Sequence, residues 1–476
     1  YKEGGKGSGA WQEARPRDDL PRGPWWCALG DHVLNELEEQ VDAANPTLAA
    51  AVASFDQSQA YSARVASALL PNLDLNNGLT SNKQSQHRPR RKADTPFSEA
   101  GYFNELLDNR PLNEPDHYGD NTLTLRSSYE VDLWGRVRNS VAASVANSES
   151  AAAMLESVRL SLQAELARDY VALRGLDSEI KLLEDTVRAY TQALELARTL
   201  VRGNIGAPAD EPRAQAQLEA TRAQLLDVIS RRALLEHAIA SLIGKPASSF
   251  AIPPASLSVF APKIPPGAPL DLLERRPDIA AVERQVAAAN AEIGVAKAAF
   301  FPRLMINFSG GTEDTGLSLF NYRNSIWTLG PSITLPIFDA GKRAADLAQA
   351  EAAYLETASH YRATVLAAYQ EVEDALSNLR WLAKEQQSLF IASNAAQKVL
   401  SISLTLYRDG ATNYLDVVIA QTTALEAQRA VLAVRTRRLE ADVALIVALG
   451  GGWSVPNTAP VERAVVLIQE PAHDGN

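Results

Sequence analysis

Four segments of the chain alternate apolar and polar side chains with a period of two. In the first, over about 69–81, Leu73, Leu75 and Leu79 oppose Asn72, Asp74, Asn76 and Thr80. In the second, over about 120–134, Leu123, Leu125, Tyr129, Val131 and Leu133 share one face, and Thr122, Thr124, Arg126, Ser128, Glu130 and Asp132 share the other. The third, about 301–312, sets Leu304, Ile306 and Phe308 against Arg303, Asn307 and Ser309. The fourth, about 324–338, sets Trp327, Leu329, Ile333, Leu335 and Ile337 against Thr328, Ser332 and Thr334. This alternation predicts strands with one oily and one wet side. On pattern alone a half-buried sheet of a soluble domain fits as well as a membrane strand.

Other segments repeat every seven residues. Between Gly135 and Arg202 there is no proline and one internal glycine, Gly175. An uninterrupted helix there would reach roughly 100 Å at about 1.5 Å per residue. Leu166, Leu173, Ile180, Val187, Leu194 and Val201 mark strict heptad steps along it. Val365, Tyr369, Val372, Leu376 and Leu379 alternate steps of four and three, and Val418, Thr422, Leu425, Leu432, Leu439, Val443 and Ile446 keep one register on a return helix. Sustained heptads predict coiled-coil packing, which an ordinary coiled-coil scaffold would satisfy equally.

The two patterns are written twice. Ala68-Leu69-Leu70-Pro71-Asn72-Leu73-Asp74-Leu75-Asn76 returns as Ala299-Phe300-Phe301-Pro302-Arg303-Leu304-Met305-Ile306-Asn307, an offset of 231 residues. Trp134-Gly135-Arg136 is answered by Phe338-Asp339-Ala340-Gly341-Lys342, again where an alternating segment yields to a long helix. The expected organisation is an extended segment over 1–30, a first repeat over 31–244 with its helical hairpin at about 135–244, a linker over 245–269, a second repeat over 270–453 with its hairpin at about 339–449, and a tail over 454–476. Seven prolines in the linker forbid a continuous helix.

Strand length and end residues favour the membrane. Segments of this length span an outer-membrane hydrocarbon layer when tilted, and Trp134, Trp327 and Phe338 are candidate interfacial aromatics. No apolar run approaches the roughly 18 residues of a spanning helix, so strands must do the crossing. Four strands cannot close, and lipid does not tolerate open edges. Three copies would supply twelve strands around an aqueous lumen. With each hairpin beginning and ending beside a strand or the linker, barrel and helical cylinder are expected to share one axis and one passage.

Composition trims the alternatives. The net charge of −11 argues against a nucleic-acid partner. Arg88, Arg90, Arg91 and Lys92 form a basic cluster in the segment 83–119, without an aromatic stacking platform; an extracellular loop over the barrel mouth is expected. The single cysteine, Cys27, excludes an intramolecular disulfide and a Cys-based metal cluster, and reads as a packed structural residue. The six histidines show no ligand spacing, and neither a phosphate-cradling loop nor a nucleophile elbow occurs, so no enzyme and no cofactor are expected. The opening Tyr1-Lys2-Glu3-Gly4 reads as a mature or trimmed product, with any lipidated residue expected upstream.

Leu272-Leu273-Glu274-Arg275-Arg276-Pro277-Asp278-Ile279, Phe300-Phe301-Pro302-Arg303-Leu304 and Leu449-Gly450-Gly451-Gly452-Trp453 together resemble the signatures of TolC-like outer-membrane factors, particularly the OprM-like branch, from about Trp25 to Trp453. The resemblance implies a mixed α and β membrane protein with internal duplication. Its trimer would form a twelve-stranded transmembrane β-barrel, four strands per chain, continuous with a coiled-coil helical barrel in the periplasm. It further implies a periplasmic adaptor and an inner-membrane pump, expected to be of the RND type, as partners in outer-membrane lipid. The family's periplasmic gate carries over to Tyr407, Gly410, Thr412, Leu415, Asp416, Val417 and Ile419 at one hairpin tip, with Asp416 in an acidic, cation-preferring ring. Gly206 matches Gly410 at an offset of 204 residues, placing Asp210 and Glu211 at the facing turn. Pro212 stands where an acidic residue is usual, and Ile419 where relatives are often charged, which puts the family's closed-state bonds in question. Without that family, Asp416 reads as a solvated helix-start carboxylate. The cargo stays open among drugs and other toxic compounds, metals and secreted protein; Met154 and Met305, the only two methionines, form no soft-metal ladder.

Overall fold

A computed structural model describes the protein over residues 24–83, 117–257, 276–314 and 320–451. The basic cluster at 88–92, most of the loop containing it, the tail over 454–476 and Leu272–Arg275 lie outside the described residues.

The element order is α1 (His32–Ala44), α2 (Pro46–Ala66), β1 (Asn72–Lys83), β2 (His117–Val131), α3 (Arg136–Arg202), α4 (Asp210–Leu242), α5 (Pro277–Ala298), β3 (Arg303–Asp314), β4 (Ser325–Thr334), α6 (Lys342–Arg408) and α7 (Tyr414–Ala448). α3 and α6 are each 67 residues long. Each begins just after a left-handed glycine, Gly135 at φ 78° and Gly341 at φ 87°. α6 contains an 18-residue window of mean hydropathy 1.3, although no uninterrupted apolar run in it approaches that length.

Two compact units emerge, one from 62–144 and 290–352, the other from the remaining described residues. Both draw on each half of the chain, so compactness cuts across the division into sequential repeats. The cause in the first unit is the sheet, where β2 of one half pairs with β3 of the other.

That sheet is antiparallel throughout, in the order β1-β2-β3-β4. Its register aligns like with like. Leu73, Ser127, Phe308 and Leu329 form one row, and Leu75, Leu125, Gly310 and Trp327 the next. The intervening row is Asp74, Arg126, Ser309 and Thr328. A one-residue slip would scramble both faces, so the alternation itself fixes the register. The apolar face is bare: Leu73, Leu75, Leu79 and Trp327 are 64, 70, 73 and 75% exposed. β1 and β4 each end the sheet with an unpaired side. β4 stops at Thr334 rather than near 338: its last partner is Arg303, and neither Pro302 on the partner nor Pro336 on the same strand has an N–H to extend the ladder.

In the helical unit α1, α3 and α7 bury apolar stripes against one another, whereas α6 leaves Leu366, Phe390, Ile391 and Val399 exposed. Asp31 caps α1, its carboxylate accepting from the Val33 and Leu34 N–H groups at 2.9 and 3.3 Å. α1 then sets Leu34, Leu37 and Val41 against Leu166, Tyr170 and Leu173 of α3 and Leu439 and Val443 of α7. Cys27 is exposed, correcting its reading as a packed residue. Residues 25–29 form a 3₁₀ turn, whose three-residue period places Trp26 and Leu29 on the buried side and Cys27 between them.

Candidate functional site

The sequence pointed to the hairpin tips, and one part of each tip proves to be shared. Both long helices end in the same turn. In the second, Ala411 N–H donates to Leu406 O at 2.8 Å and Gly410 N–H to Tyr407 O at 3.1 Å. In the first, Ile205 N–H donates to Leu200 O at 2.9 Å and Asn204 N–H to Val201 O at 3.1 Å. This is a Schellman ending, which needs a left-handed residue. Gly410 has φ 74° and Asn204 has φ 55°. The counterpart of Gly410 is therefore Asn204, not Gly206, and the expected pairing at that point shifts by two residues. The first turn is longer, 203–209 against 409–413, which restores the expected offset where α4 and α7 begin.

At those starts Asp210 corresponds to Tyr414, and Pro212 to Asp416. Asp210 is buried rather than displayed at the turn, 3% exposed. Its Oδ2 accepts a hydrogen bond from the Tyr407 hydroxyl at 3.2 Å, joining the first hairpin to the second. Arg213 stands 3.6 Å from its other oxygen. Tyr407 meets Tyr414 edge-on at 5.0 Å between ring centroids. Tyr190, Leu194, Ala197, Ala214, Leu218 and Val417 close the cluster around them. Burial, reinforced by the Asp210 charge, pushes the Tyr407 hydroxyl well above the ordinary phenol range. Burial likewise pushes Tyr414 up to about 12. Both rings stay neutral at physiological pH, so Tyr407 can donate to a carboxylate.

The remaining predicted residues lie around this cluster. Glu211 accepts from Arg198 at 2.9 Å on the first hairpin's surface. Asn413 caps α7, accepting from Asp416 N–H at 3.1 Å, and the Thr412 hydroxyl donates to the Asp416 carboxylate. Asp416 and Ile419 are exposed and border an open groove with Ala396, Val399 and Ser403 of α6. Sequence reasoning missed Tyr414 and Tyr190, although Tyr414, seven residues after Tyr407 and directly after the Asn413 cap, carried a usable signal. Among the described residues no group of His, Cys, Asp and Glu could hold a metal ion.

In the sheet unit, Trp134 stacks on Phe301 at 4.6 Å between centroids and its indole N–H donates to Pro302 O at 2.9 Å. Trp327 lies on the apolar face, and Phe338 is exposed four residues beyond the end of β4. Trp134 and Phe338 thus sit in the connections rather than in strands.

A sheet with one apolar face left bare, together with two hairpins each led by a 67-residue helix, defines an outer-membrane channel protein. The chain belongs to the outer membrane efflux protein family, whose model matches residues 37–245 and 268–451, and to its OprM-like branch. It is 32% identical over 338 residues to the outer membrane protein OprJ of Pseudomonas aeruginosa, covering 70% of this chain and 71% of that one. It is 31% identical over 334 residues to the solvent efflux pump outer membrane protein SrpC of Pseudomonas putida, with 70 and 71% covered. The solved outer-membrane channel OprN superposes with a TM-score of 0.81 at 28% identity, over 93% of this chain and 96% of that one. The protein is accordingly an efflux channel component of the outer membrane.

Proposed function

We propose that three copies of this chain form the exit duct of a tripartite efflux pump, passively conducting small toxic compounds or drugs out of the periplasm. A periplasmic adaptor and an inner-membrane pump of the RND type would complete the machine. The observation that carries the reading is the sheet: four strands of 12, 15, 12 and 10 residues with one face apolar and exposed and both edges unpaired. Each large apolar side chain left in water forgoes about 1.5–3 kcal/mol, and each unpaired backbone group in lipid costs several more. Joining β4 of one copy to β1 of the next removes the edges, and lipid covers the oil. Three copies give an even-stranded barrel with a lumen. The twin helices of equal length and matched endings support reading the chain as two structurally equivalent halves.

The hairpin tips form the gate in this proposal. The Tyr407–Asp210 bond ties one hairpin to the other and holds the closed state, a role that neither Pro212 nor Ile419 can fill by charge. Asp416, exposed on the second tip, would form an acidic ring with its symmetry mates and favour cations. SrpC, named for solvent efflux, supports the choice of small toxic cargo.

Purified protein in planar bilayers tests the proposal. Detergent-solubilised material should cross-link as three chains and form cation-preferring channels, and Tyr407→Phe should raise their conductance. A monomer that stays soluble without detergent and forms no channel would sink it.

A further inference from the structure

The wet face of the sheet carries few charges, and they are unevenly placed along the strands. Asp74 and Arg126 are partners in one row and cancel in charge. Farther from the long helices Asp120 pairs with Thr80, and Glu313 with Thr122. At the other end, where β2 yields to α3 and β3 begins, five charged groups gather. Arg136 grips Glu130 with two bonds, Nε to Oε1 at 2.8 Å and Nη2 to Oε2 at 2.7 Å. Arg303, from β3, donates to the same Oε2 through Nη2 at 2.9 Å. Arg138 holds Asp132, its Nε and its backbone N–H donating to Oδ2 at 3.2 and 2.9 Å.

Two carboxylates thus meet three guanidinium groups, which leaves one positive charge in each chain. Arginine does not lose its proton in proteins, so the excess persists at any working pH. The acids are recessed and the surplus cation projects: the side chains of Glu130 and Asp132 are 12 and 11% exposed, that of Arg303 54%. Arg303 alternates with Leu304, Ile306 and Phe308 and shares its face with Asn307 and Ser309, so in a barrel with its oil toward lipid it points into the lumen. β2 and β3 are the inner strands of the four. Joining copies at β1 and β4 therefore leaves the cluster uncovered.

We infer that Arg303 sets selectivity in the duct: its three copies form a basic ring inside the base of the barrel that draws anions, opposite in sign to the Asp416 ring at the hairpin tips. The inference rests on the three-copy duct proposed above. Rings of Arg or Lys favour anions in pores, and low-dielectric walls concentrate their field. A guanidinium also binds carboxylates through paired N–H donors. Small organic acids that pass the tips therefore find a transient site where helices give way to strands.

The test is the reversal potential of the assembled full-length protein in planar bilayers under a KCl gradient. Arg303→Gln should raise the preference for potassium over chloride about twofold, and Arg303→Glu should raise it further. Arg303→Lys, which keeps the charge, should match the wild type. Glu130→Gln, which leaves a second guanidinium unbalanced, should move the preference toward chloride and reads the same field if the Arg303 variants fail to assemble. The shifts should be plain at about 0.1 M salt, where charges act over about 10 Å, and fade at about 1 M, where they act over about 3 Å. A wild-type protein that forms no channel defeats the duct reading itself. Channels that lose cation preference with Asp416→Ala yet ignore Arg303→Gln leave the duct standing and remove the basic ring. An Arg303→Lys shift as large as that of Arg303→Gln, or shifts undiminished at high salt, also overturn it, since the clamp between β2 and β3 would then matter and its charge would not. Glu130→Gln moving the preference toward potassium does the same.

Discussion

The two hairpin tips share one way of ending a helix and differ in how they begin the next. The first turns at Asn204, spends two extra residues, and starts α4 with Asp210, a carboxylate sunk into the tyrosine cluster. The second turns at Gly410 and starts α7 with Tyr414 in the equivalent place, leaving its carboxylate, Asp416, two residues on and exposed. The same residue type thus serves as an anchor on one side and as a surface charge on the other. Pro212 stands where the first tip could have matched Asp416 and is tolerated because the first turn of a helix needs no N–H there; the surface acid of that tip is instead Glu211, paired with Arg198.

If that contrast is right, Asp210→Ala should have the largest effect. It leaves the buried Tyr407 hydroxyl without an acceptor, at a cost of about 1–3 kcal/mol in chemical denaturation. Asp210→Asn, which keeps an acceptor, should lose less. Equal losses would mean that the cavity matters and the bond does not. Gly410→Ala comes next, at about 1 kcal/mol for a side chain forced into the left-handed region. Asn204→Gly should be neutral or slightly stabilising, and a comparable loss at both positions would show that the turns are not equivalent.

Alkaline titration sharpens the comparison from the tyrosine side. Tyr414 is raised to about 12 by burial, and Tyr407 is raised further in the same direction. The folded form therefore keeps protons that the unfolded chain gives up above about pH 10. Stability should be fully present below that value and fall as pH climbs toward 12. Tyr414→Phe should flatten part of the slope; an unchanged slope would place the titrating group elsewhere. Asp416→Ala should be the mildest for stability, within about 1 kcal/mol of helix-dipole interaction, yet it should weaken cation preference in planar bilayers. A large stability loss with unaltered selectivity would assign Asp416 to the scaffold instead.

Much of the architecture was legible because period two and period seven are local signals. The rows across the sheet follow from alternation in Leu73, Leu125, Phe308 and Trp327, and no distant information is needed to read it. Strand ends were less legible: β4 stops where Pro336 on its own strand and Pro302 on the partner both lack a donor, and only the first of these can be read from residues 335–338. The tips show the limit most clearly. Asp210 could be placed at the facing turn but not in the buried cluster, because its burial depends on Tyr407, 197 residues away. Gly206 looked like the partner of Gly410 because glycine is the usual left-handed residue, and Asn204 took that role instead. Cys27 was misplaced for want of knowing that its segment winds as a 3₁₀ turn.

The unpaired borders of β1 and β4 bear on how the molecule is made. A chain on its own has no stable way to rest in a bilayer, so insertion and oligomerisation ought to be one event rather than two in sequence. In the proposed duct, stoichiometry is set by the closing of a ring. A subunit damaged on either border would be expected to poison the copies it joins, and such alleles should behave as dominant negatives.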